Sequence, residues 1–264
     1  MCNCRNCDNL RRRVIYRYVL IILLFFSFFI KAETDKIKVI FEHNPPFQVS
    51  DDKGGGTGPV IDFAKILLEQ AGIDAEFILL PWARIIQKET FLPNNIILSI
   101  SKTAKRKNSY LWLTKVYSSQ QYIWQRTKMP YNLTGLVGVE RNSYKVPYLK
   151  DHFGNKNVVE FLDTDQAVVA MIKGNIDYYV GSTIALKKKL ERRGIDFSGV
   201  MVKQKFDFEN HDGLHIALTL GTPQHIVNRL SAALSNTQVR DALVLMADGF
   251  ASQDKPFLAK ATQD

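Results

Sequence analysis

The sequence predicts an α/β protein built as two units of similar size with a cleft between them. Three observations carry this expectation. Strand-like and helix-like segments alternate from residue 37 to about residue 100, and the same alternation restarts after Leu133. Two extended stretches, QQYIWQR at 120–126 and a second from about Val202 to Phe208, connect the units, with no low-complexity linker between them. Strands alternating with helices form a parallel sheet with crossover helices. Two crossings between units would let them hinge about a shared strand pair. Open α/β sheets bind ligands outside the carboxyl ends of their strands, which places a site in the cleft.

The elements follow in order. IKVIFEH (37–43) is a short apolar strand rich in β-branched residues, ended by Asn44-Pro45-Pro46. Asp51 to Gly58 is a glycine-rich turn. Pro59 then opens a helix at a position where its missing N–H costs nothing. Val60, Ala64, Leu67, Leu68 and Ala71 recur at helical spacing, and Gly72 ends the helix. AEFILLPW (75–82) is a strand, 83–89 a helix, and IILSI (96–100) a strand. In the second unit LVGVE (136–140) and VVEFL (158–162) are strands. A helix over 164–173 has Asp163 as its N-cap and Gly174 at its end. IDYYVGS (176–182) is a strand, and 183–194 a helix whose Lys187, Lys188, Lys189, Arg192 and Arg193 read as a solvated face. HIALTL (215–220) is a strand. Thr222-Pro223 caps a final amphipathic helix carrying Ile226, Leu230, Ala233 and Leu234.

The N-terminus reads as a secretory signal peptide. Arg11, Arg12, Arg13 and Arg17 precede an apolar run from Val19 to Ile30, broken only by Ser27, with the small residue Ala32 just after it. Twelve residues are too few to span a bilayer, which takes about 20. The competing reading is a retained N-terminal anchor. Segment 1–32 holds six basic residues and one acid, so its removal lowers the net charge from +9 to +4. A mildly basic remainder does not demand a polyanionic partner. All three cysteines (Cys2, Cys4, Cys7) lie ahead of the apolar run, so the rest of the chain is cysteine-free and is not held by disulfides.

No motif for nucleotide, metal or nucleophilic catalysis is present. The five histidines form no H-E-x-x-H pattern. His211 and His215 straddle Gly213 at the start of a strand, and GGGTGP lacks the lysine of a phosphate-binding loop. The sequence therefore points to no cofactor and no metal. SKTAKRK (101–107) carries four basic residues in seven. Nucleic-acid binding would need a basic surface with stacking aromatics, and the other basic residues are scattered. The stretch instead lies just past a strand end at the cleft edge. There Arg106 is placed to grip a carboxylate through two parallel hydrogen bonds. Ser99, Ser101 and Thr103 add hydroxyls to complete the shell, with Ser99 and Ser101 on one face of the strand by alternation.

NPPF (44–47), LPWAR (80–84), S-x-S-x-T-x-x-R (99–106), LTGLVGVERNS (133–143), GNIDYYVGS (174–182) and HIALTLGTP (215–223), in this order, resemble the bacterial extracellular solute-binding proteins of family 3, in the form that carries PWAR. These proteins feed ABC transporters and include the polar amino-acid binders. The resemblance runs from about Lys36 to Phe250. It implies the two-lobed type II periplasmic-binding-protein fold: two α/β lobes, a two-stranded hinge and an interlobe cleft. Residues 33–124 would begin lobe 1, 125–208 form lobe 2, and 209–264 return to lobe 1. It further implies that Arg106 binds a ligand carboxylate, with Ser99 and Ser101 hydrogen-bonding beside it. Asn44 and Trp82 would pack the ligand in the first lobe. Two roles fit Trp82, a stacking face for ligand and a core aromatic beside a strand end. Ser143 and Tyr144 fall on the second-lobe loop, where backbone N–H groups at a helix start meet an anion; plain helix capping by Ser143 is the alternative.

Two positions depart from the family pattern. Asp177 is kept, but Ser182 stands where the amino-acid binders carry the aspartate that pairs with the ligand's ammonium. Serine supplies no countercharge, so either another acid such as Glu140 does, or the ligand lacks that ammonium. Thr103-Ala104 replaces threonine-proline. The expectation is a monomeric periplasmic protein that captures a small carboxylate-bearing solute, an amino acid or a relative, and presents it to an ABC permease of the inner membrane. It needs no nucleic acid and no catalysis. The rivals are an enzyme on the same scaffold, such as a dehydratase using Glu42, Glu140 or Asp177, and a stand-alone sensor or scavenging module.

Overall fold

The computed structural model describes residues 36–254, apart from 52–54, 119, 128, 130–133 and 209–210. The expected signal peptide and the three cysteines lie outside the described residues.

Strand β1 (Ile37–Phe41) buries every side chain except Lys38. Asn44 then folds back, its N–H bonding the Gln48 carbonyl at 2.9 Å, and the hairpin β2 (Val49–Ser50) and β3 (Gly56–Thr57) follows. Helix α1 (Pro59–Ala71) starts on its proline and stops at Gly72, whose φ of 61° is left-handed and whose N–H bonds the Glu69 carbonyl. Strand β4 (Ala75–Leu79) ends before Pro81, and helix α2 (Trp82–Gln87) begins immediately after it. Trp82 is thus the first helical residue, not the last residue of a strand, because Pro81 occupies the N-cap position. Strand β5 (Asn95–Thr103) is longer than the apolar run suggested. It absorbs Ser101–Thr103, and Ala104–Arg106 form one 3₁₀ turn. Strand β6 (Tyr110–Tyr117) lies where no strand was expected. Leu111, Trp112 and Leu113 are contiguous apolar residues without the period of two that marks a half-buried strand, and Leu111 is largely exposed.

The chain then enters a second sheet. It contains β7 (Gln121–Arg126), β8 (Val137–Glu140), β9 (Val158–Phe161), β10 (Tyr178–Gly181) and β11 (Val200–Phe206), with helices α3 (Lys145–Phe153), α4 (Thr164–Lys173) and α5 (Thr183–Glu191) between them. Asp163 caps α4 as expected, its carboxylate accepting from the Gln166 N–H at 2.7 Å, and Gly174 closes it. The chain returns to the first sheet as β12 (His211–Thr219), followed by α6 (Gln224–Leu234) and α7 (Thr237–Gln253). The expected single final helix is two helices. The break is capped by Asn236, which accepts from the Gln238 N–H at 2.8 Å. In α7 only Val239, Met246 and Phe250 are buried, too sparse a stripe to read from periodicity.

The first sheet has order β4-β1-β5-β12-β6, and the second β11-β7-β10-β8-β9. In the first, β4, β1 and β5 are parallel; in the second, β10, β8 and β9 are. These are the β-α-β units that the sequence predicted. β7 and β11, the two extended crossings, pair antiparallel within the second sheet. Each lobe has its own apolar core. Phe41, Phe63, Leu67 and Leu218 anchor one, and Trp124, Met171, Leu186 and Leu190 anchor the other. Among the described residues no helix is long and apolar enough to cross a membrane.

Candidate ligand-binding site

A cavity of about 100 Å³ lies between the lobes, at the carboxyl ends of β1, β5, β8 and β10. Its first-lobe wall includes Glu42 and Asn44 beyond β1, Trp82 at the head of α2, and Ser99 and Ser101 of β5. Its second-lobe wall includes Glu140 at the end of β8, Ser143, Tyr144 and Lys145 at the start of α3, and Ser182 before α5. The structure therefore brings together seven of the nine residues singled out from the sequence. Thr103 and Arg106 are not part of this wall.

Local geometry explains how the side chains reach it. Ser99 and Ser101 both line the cavity, but the backbone at Ser99 is not regular strand. Its φ is 52°, and the pairing with β12 skips one residue between Ile97–Ala217 and Ile100–His215. This is a β-bulge, which redirects side chains at the cost of a strained residue. Ser99 donates to Gln48 Oε1 at 2.7 Å, so the bulge is tied to the turn after β1. The Ser101 hydroxyl hydrogen-bonds Tyr144 across the cleft. Arg106 donates from Nη1 to the Ser101 carbonyl at 3.2 Å, and its guanidinium lies 5.4 Å from the Trp82 ring centroid. It is thus held against two wall residues. Burial pulls its pKa below the ordinary arginine value, with Tyr110 and Tyr144 opposing. Trp82 takes both of its possible roles: it faces the cavity and packs with Ile40, Ile85 and Ile97. Ser182 caps α5, accepting at 3.4 Å from the Ala185 N–H, whereas Ser143 precedes the N-cap residue Tyr144 of α3 and accepts at 3.4 Å from the Lys145 N–H.

Four charged groups at the cleft set its electrostatics. Glu42 and Glu140 come from opposite lobes and hydrogen-bond one another, so the pair shares a proton. Burial raises the Glu42 pKa to about 7; burial and the neighbouring carboxyl together raise that of Glu140 well above the usual range. Lys145 donates to Gln121 Oε1 at 2.9 Å and to the Val180 carbonyl at 3.2 Å, and burial lowers its pKa to about 8. Lys189 is fully buried and its ammonium reaches the Pro45 carbonyl of the other lobe at 3.4 Å. This corrects the reading of α5 as a solvated basic face at Lys189 alone: Lys187, Lys188, Arg192 and Arg193 are exposed, with Arg193 pairing with Asp165 at 2.8 Å and Arg192 meeting His43. Lys189 carried no sequence signal of its own, because a lysine in a charged run looks solvated until the opposite lobe is in place, and Lys145 stood as a single lysine at a helix start.

Among the described residues no cluster of three or more His, Asp or Glu side chains is placed to hold a metal ion. Asp177, one of the acids considered for catalysis, is turned away from the cavity and accepts from the Leu136 N–H at 2.7 Å.

Two α/β lobes, joined by a strand pair and enclosing a polar cavity with a tryptophan in its wall, define a two-lobed solute receptor. The chain belongs to the bacterial extracellular solute-binding proteins, family 3, whose model matches residues 37–263. An arginine-binding periplasmic protein of Mannheimia haemolytica is 24% identical over 216 residues, covering 81% of this chain and 90% of that protein. Among solved structures, a Silicibacter pomeroyi periplasmic His/Glu/Gln/Arg/opine family-binding protein in complex with lysine superposes with a TM-score of 0.70 at 16% identity, covering 83% of this chain and 98% of that one. A histidine kinase sensor domain with similarity to periplasmic binding proteins superposes equally well, also with a TM-score of 0.70 at 16% identity, over 84% of this chain and 98% of that one.

Proposed function

We propose that this chain is a periplasmic binding protein that captures a small carboxylate-bearing solute, an amino acid or a close relative, by closing its lobes, and delivers it to an ABC permease. The single observation that carries the reading is the interlobe cavity, whose wall is drawn from the carboxyl ends of strands in both lobes. A ligand touching both walls favours the closed form by its differential contacts with it. Arg106, held against Trp82 and Ser101 at the edge of this wall, is the carboxylate clamp; a modest side-chain movement would bring it to a ligand. Asn44, Trp82, Ser99 and Ser101 would complete the first-lobe contacts, and Ser143, Tyr144 and Ser182 the second-lobe contacts. The ligands of its relatives, arginine and lysine among them, support an amino-acid-like solute. The reading requires no catalysis, and the N-terminal segment would direct export.

A thermal-shift screen of residues 33–264 against amino acids and small mono- and dicarboxylates tests this, with Arg106→Ala run alongside. A ligand present at 100 times its Kd adds about 2.7 kcal/mol to stability. A shift in the wild type that Arg106→Ala loses supports the clamp, and equal shifts in both remove Arg106 from the site. No shift with any compound overturns the reading. The likeness to a histidine kinase sensor domain favours a second reading, a sensor that binds the same solute without transport. Association of the liganded protein with a permease in membranes separates the two.

A further inference from the structure

We infer that the carboxyl pair Glu42–Glu140 is the recognition element for a positively charged group of the solute, and that the shared proton holds the position this group takes. The inference rests on the proposed solute-binding reading and deepens it.

The geometry carries it in three steps. The two carboxyls come from opposite lobes and meet in the cavity wall, so whatever sits between them is held only when the lobes are closed. Among the described residues they are also the only acids of that wall, in which Ser182 brings no charge. Glu42, Glu140 and Trp82 further line a second cavity of about 340 Å³, whose other acids are Asp163 and Asp165. The pair thus stands at the junction of the two spaces, and among the described residues the space beyond it is lined by acids, by His43 and by apolar side chains such as Leu79, Leu80 and Leu162, with no lysine or arginine. Asp163 is spent on capping α4, and Asp165 on Arg193. Glu42 and Glu140 are spent on each other. The neighbouring ammonium groups are turned to neutral acceptors, Lys145 to Gln121 and Val180, and Lys189 to Pro45.

Two carboxylates in contact cannot both stay ionised without a cation between them. The charged and titratable groups that face them are Lys189 on α5, Lys145 on α3, Asp163 at the head of α4 and Tyr179 on β10. The lysines act through space and leave the contact itself to a proton. An ammonium or guanidinium in that place would replace the proton and let both carboxyls ionise. A solute without a cation would instead need the proton taken up as the lobes close. Its affinity would therefore rise as pH falls from about 7 toward 5, whereas the affinity of a cationic solute would stay level or fall.

The probes are L-arginine, L-citrulline, which lacks the side-chain charge, and 5-guanidinopentanoate, which lacks the α-ammonium. Each is titrated calorimetrically at pH 5.5 and 7.5, in two buffers of different ionisation enthalpy, against wild type and Glu140→Gln. The expected result is that Glu140→Gln weakens the cation-bearing probes about tenfold to hundredfold, the loss of one charge-assisted contact. The probe among citrulline and guanidinopentanoate that has lost the recognised cation binds with proton uptake, which Glu140→Gln abolishes. Which of the two shows the uptake tells a side-chain cation from an α-ammonium. If wild type binds all three with the same affinity and no proton exchange, or Glu140→Gln leaves every affinity unchanged, the inference is overturned while the solute-binding reading stands. If these probes fail and the wider screen finds a solute without any cation that binds without proton uptake, the inference is again overturned. If no compound of any class binds, both readings fall together.

Discussion

Replacing Glu42 by glutamine should stabilise the protein at neutral and alkaline pH. The native carboxyl is buried against Glu140, and its pKa rises from an ordinary 4.5 to about 7. Between those values the folded protein holds a proton that the unfolded chain releases. Stability is therefore fully present below pH 4.5 and is lost as pH rises through 7. A rise of about 2.5 pH units at 1.36 kcal/mol each bounds the loss at about 3 kcal/mol. Lys189 and Lys145 offset part of the repulsion, so an effect of about 1–3 kcal/mol is expected. Glutamine keeps the shape, can still hydrogen-bond Glu140, and carries no charge. Urea unfolding of wild type and Glu42→Gln at pH 5, 6, 7 and 8 reads the difference directly. The gap should open in favour of the variant as pH rises. A gap that stays constant from pH 5 to 8, or that opens in favour of wild type, would refute the account of a carboxyl pair sharing a proton.

Three further outcomes follow from the same geometry. Lys145 is a buried lysine whose pKa falls to about 8, so the folded state loses its proton before the unfolded chain does. Wild-type stability should rise between about pH 8 and 10.5 relative to Lys145→Met, again by urea unfolding. Asp254 accepts from the Ile184 N–H and from the Tyr117 hydroxyl, both at 2.9 Å, and so ties α5 of one lobe to β6 of the other. Asp254→Ala should cost about 2 kcal/mol in chemical denaturation. Gly213 has a φ of 79°, and a Cβ there would stand 2.6 Å from the Tyr117 carbonyl oxygen. Gly213→Ala should cost at least about 2 kcal/mol and perturb the cavity wall it helps to form.

Much of the architecture was legible because its signals are local. Pro59 and Gly72 bracket α1, Asp163 and Gly174 bracket α4, and apolar runs mark β1, β5 and β8. The two extended crossings emerge as the pair β7 and β11. What escaped depends on contacts distant in sequence. β6 becomes a strand because β12 returns from the far end of the chain to pair with it. The division between α6 and α7 rests on one cap at Asn236. Asn44, Trp82, Ser99, Ser101, Ser143, Tyr144 and Ser182, singled out from motif positions, lie in the wall of the interlobe cavity. Ser99 and Ser101 share the cavity wall as alternation predicts, but the left-handed backbone and bulge at Ser99 left no trace in the sequence. Glu42 and Glu140 were visible only as separate acids, and Lys189 only as one charge in a run. Their meaning arises where the two lobes meet.

The most direct test of the account is small-angle X-ray scattering of the protein with and without the solute selected by the screen. Saturating solute should reduce the radius of gyration as the lobes close on it, and Arg106→Ala at the same concentration should leave the curve unchanged. A wild-type curve that stays the same at saturation would contradict capture by lobe closure.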